Sequence, residues 1–333
     1  MFNKKNYQIQ YHNNKDFIFS IFDDTDVATL EYIRPTYDFL NDLDLKITKS
    51  VWPLSFNGES DYKGSHTLQD LQYGRYIREL HEYGFEIAFH GPTMVSAERQ
   101  AIKKAFHIFY DIVGQFPRIY APHSKNRENL YWGSNRFSIP FFQKLYGFIS
   151  HEKEDYYQGH IKKSPYFWGD LSLCYLEYVR SFTFHEINLL NITRKITYSN
   201  PSMPFVKNFF ITCDADNVEE FNALLNEKNQ EKLEKERGVC IISTHFGKGF
   251  IEEGKINSQT KYLLEKIREK NGWFVPVSVA LDFLKDHNIN NRILYNEIFS
   301  LELKWFLHSL IRKKSTRDYC KTEIPYLLSS NTI

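Results

Sequence analysis

Residues 17–22 read F-I-F-S-I-F, apolar or β-favouring apart from Ser20, and they run into Asp23, Asp24 and Asp26. An unbroken apolar run predicts a strand covered on both faces, as in a parallel sheet, because a half-exposed strand would alternate. The period then switches repeatedly. Residues 29–41 have helical spacing at Leu30, Ile33, Tyr37 and Leu40, and 46–51 read as a second strand ended by Trp52-Pro53. Residues 57–66 form a Gly- and Ser-bearing loop. Helical spacing returns over 68–83 (Leu68, Leu71, Ile77, Leu80), and Gly84 follows as the residue beyond the helix C-terminus. A third strand, 85–89, delivers His90-Gly91-Pro92. A helix over 98–113 then carries Ile102, Phe106, Phe109 and Val113 on one stripe, and a fourth strand, 118–121, ends at Pro122-His123. Strand–helix units recurring about every 30 residues predict a parallel sheet or barrel.

Residues 151–204 break this rhythm. They are rich in aromatics, His, Pro and Asn, so 148–150 read as a strand and 151–204 as an elaborated loop over the active face. Regular elements resume with a strand over 207–212, a highly charged helix over 218–237, and a strand over 238–243 (G-V-C-I-I-S) that ends at Thr244-His245-Phe246-Gly247. A helix over 259–270, a strand over 273–275 and a helix over 278–287 complete the set. The expected organisation is a barrel over 1–289 and a helical extension over 290–333. In that extension, 293–311 carry apolar side chains at helical spacing (Leu294, Ile298, Leu301, Trp305, Leu310) before Arg312-Lys313-Lys314. Such a helix either packs on the barrel or a second subunit, or gives 293–314 a peripheral membrane contact; packing is the simpler expectation.

Composition narrows the partners. The 333 residues carry 42 basic and 41 acidic side chains, a net charge of +1, which argues against nucleic acid. Hydrophobic content of 42% supplies a sizeable core. Cys174, Cys213, Cys240 and Cys320 are scattered without C-x-x-C spacing, which fits a reducing cytoplasm better than a disulfide framework. Residues 1–14 lack the apolar core of a secretion signal, and no apolar run is long enough to span a bilayer.

The chemistry is expected at strand ends. Capping of the next helix by Thr25 or Asp26 accounts for one polar residue after the first strand, but not for an adjacent carboxylate pair. In a β/α barrel the C-terminal ends of all strands face one mouth, so Asp23, Asp24, His90, His123 and His245 can meet there despite their separation in sequence. An Asp with two His is a common divalent-metal set. Eight other histidines (His12, His66, His81, His107, His151, His160, His287, His308) are assigned to the surface or to hydrogen-bonded core positions, and His185 stays open. Aromatics at Trp132 and Trp168, and the polar residues Asn126, Arg127, Glu128 and Arg180, are candidates for stacking on sugar faces or reading hydroxyls, carboxylates or phosphates.

Four segments resemble the motifs of the polysaccharide deacetylase superfamily, the NodB-homology domain of carbohydrate esterases: F-S-I-F-D-D-T, E-I-A-F-H-G, R-I-Y-A-P-H-S and I-I-S-T-H-F, in that order over 16–284. The resemblance implies a distorted (β/α)7–8 barrel that removes acyl groups from amino sugars with a bound divalent metal, zinc first, or cobalt, nickel or manganese. Carried over by position, Asp23 is the general base, Asp24 and His90 are metal ligands, and His245 protonates the departing amine. Two departures mark a divergent branch. Met94 stands where the second motif usually has another His, and a thioether is a poor ligand for such a metal, so His123 is the candidate third ligand. Tyr120 stands where the third motif usually brings an Arg that orients the base, with Arg127 or Arg99 as substitutes. Asp26, Tyr120, Arg127, Trp132 and Trp168 make up the expected substrate-binding set. The implied substrate is an acetylated or formylated amino sugar, free, nucleotide-linked or lipid-linked, in surface-polysaccharide assembly. The alternative is a catalytically silent barrel that binds carbohydrate or a biosynthetic partner.

Overall fold

The computed structural model describes residues 9–56, 65–153, 155–287 and 291–328, with side chains as far as Ile311. The first six segments of the chain form as the apolar pattern requires: β1 (Phe17–Asp23), α1 (Leu30–Asp42), β2 (Thr48–Val51), α2 (Leu71–Glu82), β3 (Glu86–Phe89) and α3 (Arg99–Val113). The very short β4 (Ile119–Tyr120) comes next. Every residue of β1 is buried, and removing Phe17, Ile18, Phe19, Ile21 and Phe22 from water contributes on the order of 10 kcal/mol at about 2 kcal/mol each. The left-handed φ of Gly84 lets the chain leave α2 and enter β3 at once.

The remaining elements are α4 (Pro140–Ser150), α5 (Gly169–Tyr175), β5 (Tyr178–Phe184), β6 (Thr197–Tyr198), β7 (Asn208–Asp214), α6 (Val218–Leu224), α7 (Glu227–Lys235) and β8 (Val239–Thr244). A small hairpin of β9 (Ile251–Glu252) and β10 (Lys255–Ile256) follows, then α8 (Ser258–Arg268), β11 (Gly272–Phe274), α9 (Val277–Asp286) and α10 (Tyr295–Leu328). Parallel pairing in the order β1-β2-β3-β4-β5-β7-β8 closes on itself, because β8 runs beside β1 from Ile18 to Asp23. The barrel is distorted at two seams. β1 meets β2 only at Phe22 and Asp23, and β11 fills the gap beside Phe17–Phe19. β6 lies antiparallel on β7. The (β/α)7–8 barrel expected from the strand–helix rhythm is therefore present, and its C-terminal rim gathers the ends of β1, β3, β4, β7 and β8.

Several expected elements differ. Residues 148–150 are the last turn of α4 and not a strand: Pro140 starts that helix, and a three-residue apolar run cannot choose between the two periods. The segment 151–204 is more than a loop, since it contributes the barrel strand β5. Its polar Arg180, Ser181 and Thr183 disguised it, and they are tolerated because each has a hydrogen-bonding partner: Asp24 for Arg180, the Phe210 carbonyl for Ser181 and Asp214 for Thr183. The charged helix over 218–237 is two helices, because Asn226 ends the first and caps the second through its side chain. The cap of α1 is Thr29, which accepts from the Tyr32 N–H, so neither Thr25 nor Asp26 is used for that purpose.

Of the uses expected for the C-terminal helix, packing on the barrel is what α10 displays: Ile298, Leu301, Trp305 and Phe306 are buried, and Glu302 accepts from the backbone of Ser138 and Ile139. No described helix is long and apolar enough to cross a membrane. Most of the loop expected over 57–66, the start of the segment 1–14, and the side chains of Arg312, Lys313 and Lys314 lie outside the described residues.

Candidate functional site at the barrel mouth

Three carboxylates follow one another off β1, and the fold gives each a different environment. Asp23 is fully buried. Its Oδ2 lies 2.9 Å from Lys49 Nζ and accepts from the Tyr37 hydroxyl at 2.9 Å, while Oδ1 accepts from the Phe246 N–H at 2.8 Å. Lys49, on β2, is itself wholly enclosed; burial pulls its pKa down, and Asp23 more than compensates, leaving it raised. Both oxygens of Asp23 are thus committed to bonds that tie β1, β2, α1 and the end of β8 together.

Asp24 turns into the lumen and meets Arg180 of β5 in a two-pronged contact, Nη2 to Oδ2 at 2.8 Å and Nη1 to Oδ1 at 3.1 Å. Arg180 also donates to Ser243 on β8. Burial would raise the pKa of Asp24, but Arg180, His90 and His245 outweigh it and hold the group below its ordinary value.

Asp26 stands at the centre of the imidazoles. Its Oδ1 lies 3.6 Å from His90 Nε2 and 3.5 Å from His123 Nε2, and its Oδ2 lies 3.1 Å from His245 Nε2. Burial pushes its pKa upward, and the neighbouring His245 and His90 imidazoles overcome that, leaving it well below the carboxylate range. The turn that presents Asp26 is strained: Val27, β-branched, has φ of 58°. Gly247 explains how the turn is held. A Cβ there would come within 2.5 Å of the Val27 backbone, so only glycine lets the chain leaving β8 lie against it.

The three histidines are set from behind. Trp52, at the end of β2, packs its ring against both His90 and His123, with centroids 5.6 and 5.4 Å away. Asn126 fixes the tautomer of His123. Its Nδ2 donates to Thr93 O and to Glu128 Oε1, so its Oδ1 is the atom 2.9 Å from His123 Nδ1, and that ring nitrogen carries the proton. Burial holds His123 below its ordinary pKa, in its neutral form. Glu128 is fully buried, which pushes its pKa up to about 7. His245 behaves oppositely. Burial lowers its pKa, but Asp26 and Asp24 overcome this and raise it, while Nδ1 lies 2.8 Å from the Asp216 carbonyl oxygen and Nε2 faces Asp26.

These placements allow the donor set to be tested. Among the described residues no group of three or more His, Cys, Asp or Glu side chains stands ready to enclose a metal ion. The donor chemistry nevertheless suits a cation. The lone pair of His123 Nε2 and Oδ1 of the ionised Asp26 face each other at 3.5 Å inside the protein, and Asp26 Oδ1 and both His90 nitrogens make no hydrogen bond. Facing lone pairs repel unless positive charge lies between them. Asp26, His90 and His123 are the residues that fit; Asp24, expected as a ligand, is instead occupied by Arg180.

The expected substrate residues divide. Asp26 is central and Trp132 is partly exposed at the rim. Tyr120 and Trp168 are core residues: Tyr120 donates to Asn129 at 2.5 Å, Trp168 donates to the Glu128 carbonyl at 2.6 Å, and neither meets solvent appreciably. Neither can contact a substrate as the chain is folded. Arg127 stacks on Tyr166, and Arg99 is paired with Asp170, so neither substitutes for the missing arginine. The arginine that does meet a carboxylate of the site is Arg180, against Asp24. The signal for it was a single charge inside the run Y-V-R-S-F-T-F, which a strand would have to point at a partner. His185 is exposed, and its backbone N–H donates to His308, away from the site.

No family model matches the sequence, and no curated protein matches it. Solved structures do. A protein described as a polysaccharide deacetylase from Mycobacterium smegmatis is similar with a TM-score of 0.51 and 9% identity, over 86% of this chain and 96% of that one. PuuE allantoinase gives a TM-score of 0.49 and 10% identity, over 84% and 93%. BA3943, a CE4 family pseudoenzyme from Bacillus anthracis, gives 0.37 and 11%, over 82% and 67%. At such identities the likeness is one of fold: this chain is built on the NodB-like barrel of the polysaccharide deacetylases.

Proposed function

We propose that the protein hydrolyses an N-acyl group, acetyl or formyl, from an amino sugar or amino-sugar precursor in glycan biosynthesis. The observation that carries the reading is the meeting of Asp24 and Asp26 with His90, His123, His245 and Arg180 at one barrel mouth. Asp26, His90 and His123 would hold a divalent cation, zinc before cobalt, nickel or manganese; when bound, such an ion polarises a carbonyl and acidifies water. The base is Asp24, not Asp23, because Asp23 is locked to Lys49, Tyr37 and Phe246. Arg180 fixes the plane of Asp24 while it accepts the proton of the attacking water. His245 supplies the acid. Asp26 and Asp24 raise its pKa and so favour its protonated form, Nδ1 stays bonded to the Asp216 carbonyl, and Nε2 gives its proton to the nitrogen as the C–N bond breaks. Water and amide become carboxylate and ammonium, so the protons balance. Scattered cysteines favour the cytoplasm, and with it a precursor over a finished polymer.

A catalytically silent, carbohydrate-binding barrel is the second reading, favoured by Met94 in the place of a ligand and by the lack of a formed metal group among the described residues. One experiment separates the two. Purified protein is equilibrated with Zn, Co, Ni or Mn and dialysed; bound metal is measured by elemental analysis, and acetate or formate release from N-acyl amino sugars and their nucleotides is assayed. About one ion per chain, lost in His90→Ala, with release abolished in Asp24→Asn, is the expected result. Metal-loaded protein that releases no acid from any substrate overturns the hydrolase.

A further inference from the structure

Helices α4 and α10 each bury one side and leave apolar side chains on the other. On α4, Phe142 packs inward, while Phe141 and Phe148 are 66% and 80% exposed. On α10, Ile298 and Trp305 are buried, while Tyr295, Phe299 and Leu310 are exposed at helical spacing. The two exposed stripes meet over Phe142, whose ring centre lies 5.4 Å from that of Phe141 and 5.4 Å from that of Phe299. Apolar residues scattered singly are ordinary on a protein surface, whereas a patch continuous across two helices marks a contact.

The patch lies beside the barrel mouth. α4 runs along the 3-10 turn Gly133–Arg136, which belongs to the rim after β4. Gln143 Nε2 donates to Asn135 Oδ1 at 2.9 Å, and a Cβ on Gly147 would lie 3.6 Å from that of Ser134. α10 runs up the barrel wall in the direction of β5. Trp305 packs on Phe182 with ring centres 5.2 Å apart, and three residues later His308 packs on Phe184 at 5.7 Å. Helix and strand therefore point the same way, toward the C-terminal rim, and Ile311, 73% exposed, stands at the mouth end of the patch.

Charge selects the occupant. In the sequence, residues 312–321 carry five basic side chains (Arg312, Lys313, Lys314, Arg317 and Lys321) against Asp318 alone. Lys153, Lys162 and Lys163 are exposed on the segment that covers the loop after β4, where the Tyr156 and Tyr157 hydroxyls donate to the carbonyls of Lys125 and Ser124. A second copy meeting this face would bring the same basic residues and so add like charge. An anionic lipid surface accepts both features together: aromatic and aliphatic side chains enter the headgroup boundary, and lysine and arginine meet the phosphates.

We propose that the face formed by α4 and α10 docks the protein on an anionic lipid bilayer beside its barrel mouth. The proposal does not depend on the hydrolase reading, and its test needs no turnover. The full chain would be sedimented with vesicles of phosphatidylcholine alone and of phosphatidylcholine with phosphatidylglycerol at about 3:1. The wild type should partition onto the anionic vesicles at least about tenfold more strongly than onto the neutral ones, and less so in high salt. The double variant Phe141→Ser/Phe148→Ser should lose at least about tenfold of that partition. Both side chains are largely exposed, so its circular dichroism should match the parent. Phe148→Asp, at the more exposed of the two positions, supplies the same reading should the double variant not fold. No sedimentation with anionic vesicles, equal partition onto both compositions, or partition unchanged in the variants overturns the proposal. A wild type that ignores vesicles but forms a dimer in analytical ultracentrifugation, abolished by the same variants, also overturns it and makes the face a subunit contact.

Discussion

Replacing Asp23 by Asn separates a structural carboxylate from a catalytic one. Asparagine matches the shape but removes the charge, so Lys49, fully enclosed, keeps its ammonium beside the Asp24 carbonyl at 3.4 Å and the neutral amide, with no carboxylate in direct contact among the described residues. One of the two acceptor positions, toward Tyr37 or toward the Phe246 N–H, also becomes an NH2 group facing a donor. Breaking one side of a buried ion pair costs about 3–5 kcal/mol. For a 333-residue chain the unfolding entropy is about 0.7 kcal/mol/K, so the midpoint should fall by about 4–7 °C in calorimetry. Adding Lys49→Met to Asp23→Asn removes the stranded charge and should recover roughly half of the loss, a coupling above about 1 kcal/mol in a double-mutant cycle. Hydrolysis per folded molecule should survive Asp23→Asn to within about tenfold. A variant that melts within about 1 °C of the parent yet no longer hydrolyses would return the base to Asp23 and refute the assignment to Asp24.

Two further variants probe the supports of the site. Gly247→Ala should shift the turn that carries Asp26, since the new methyl meets the Val27 carbonyl group at 2.5 Å and backbone cannot yield as a side chain does. Metal affinity measured by competition with a chelator should drop at least about tenfold, for a stability loss of about 1–3 kcal/mol; unchanged affinity would mean the turn is not needed to place Asp26. Glu128→Gln tests the buried acid behind His123. With its pKa pushed up from 4.5 to about 7 by burial, the carboxyl favours folding below its unfolded value and loses that contribution as pH rises through about 7. The loss amounts to about 3 kcal/mol. Urea unfolding at pH 5 and pH 8 should therefore give a smaller difference for Glu128→Gln than for the wild type, and an equal difference would show that Glu128 ionises freely.

The barrel was legible along the chain because its main signal is local. The apolar run of β1, the helical stripes of α1, α2 and α3, and the histidines placed just after β3 and β8 follow from periodicities of two and 3.6 residues, which need no knowledge of neighbours. The same local signal failed at β5, whose polar residues face partners on β1, β7 and β8, and at α4, where a short apolar run suits either period. That Asp23, Asp24 and Asp26 belong to the site could be read from their place after a buried strand. Which of them pairs with Lys49, which with Arg180 and which with the imidazoles could not. Those choices depend on Lys49, Arg180 and His123 being brought to one rim from separate strands, and on how far each carboxylate is withdrawn from water. Charge pairing and burial are properties of closed three-dimensional space, so only the folded barrel assigns them.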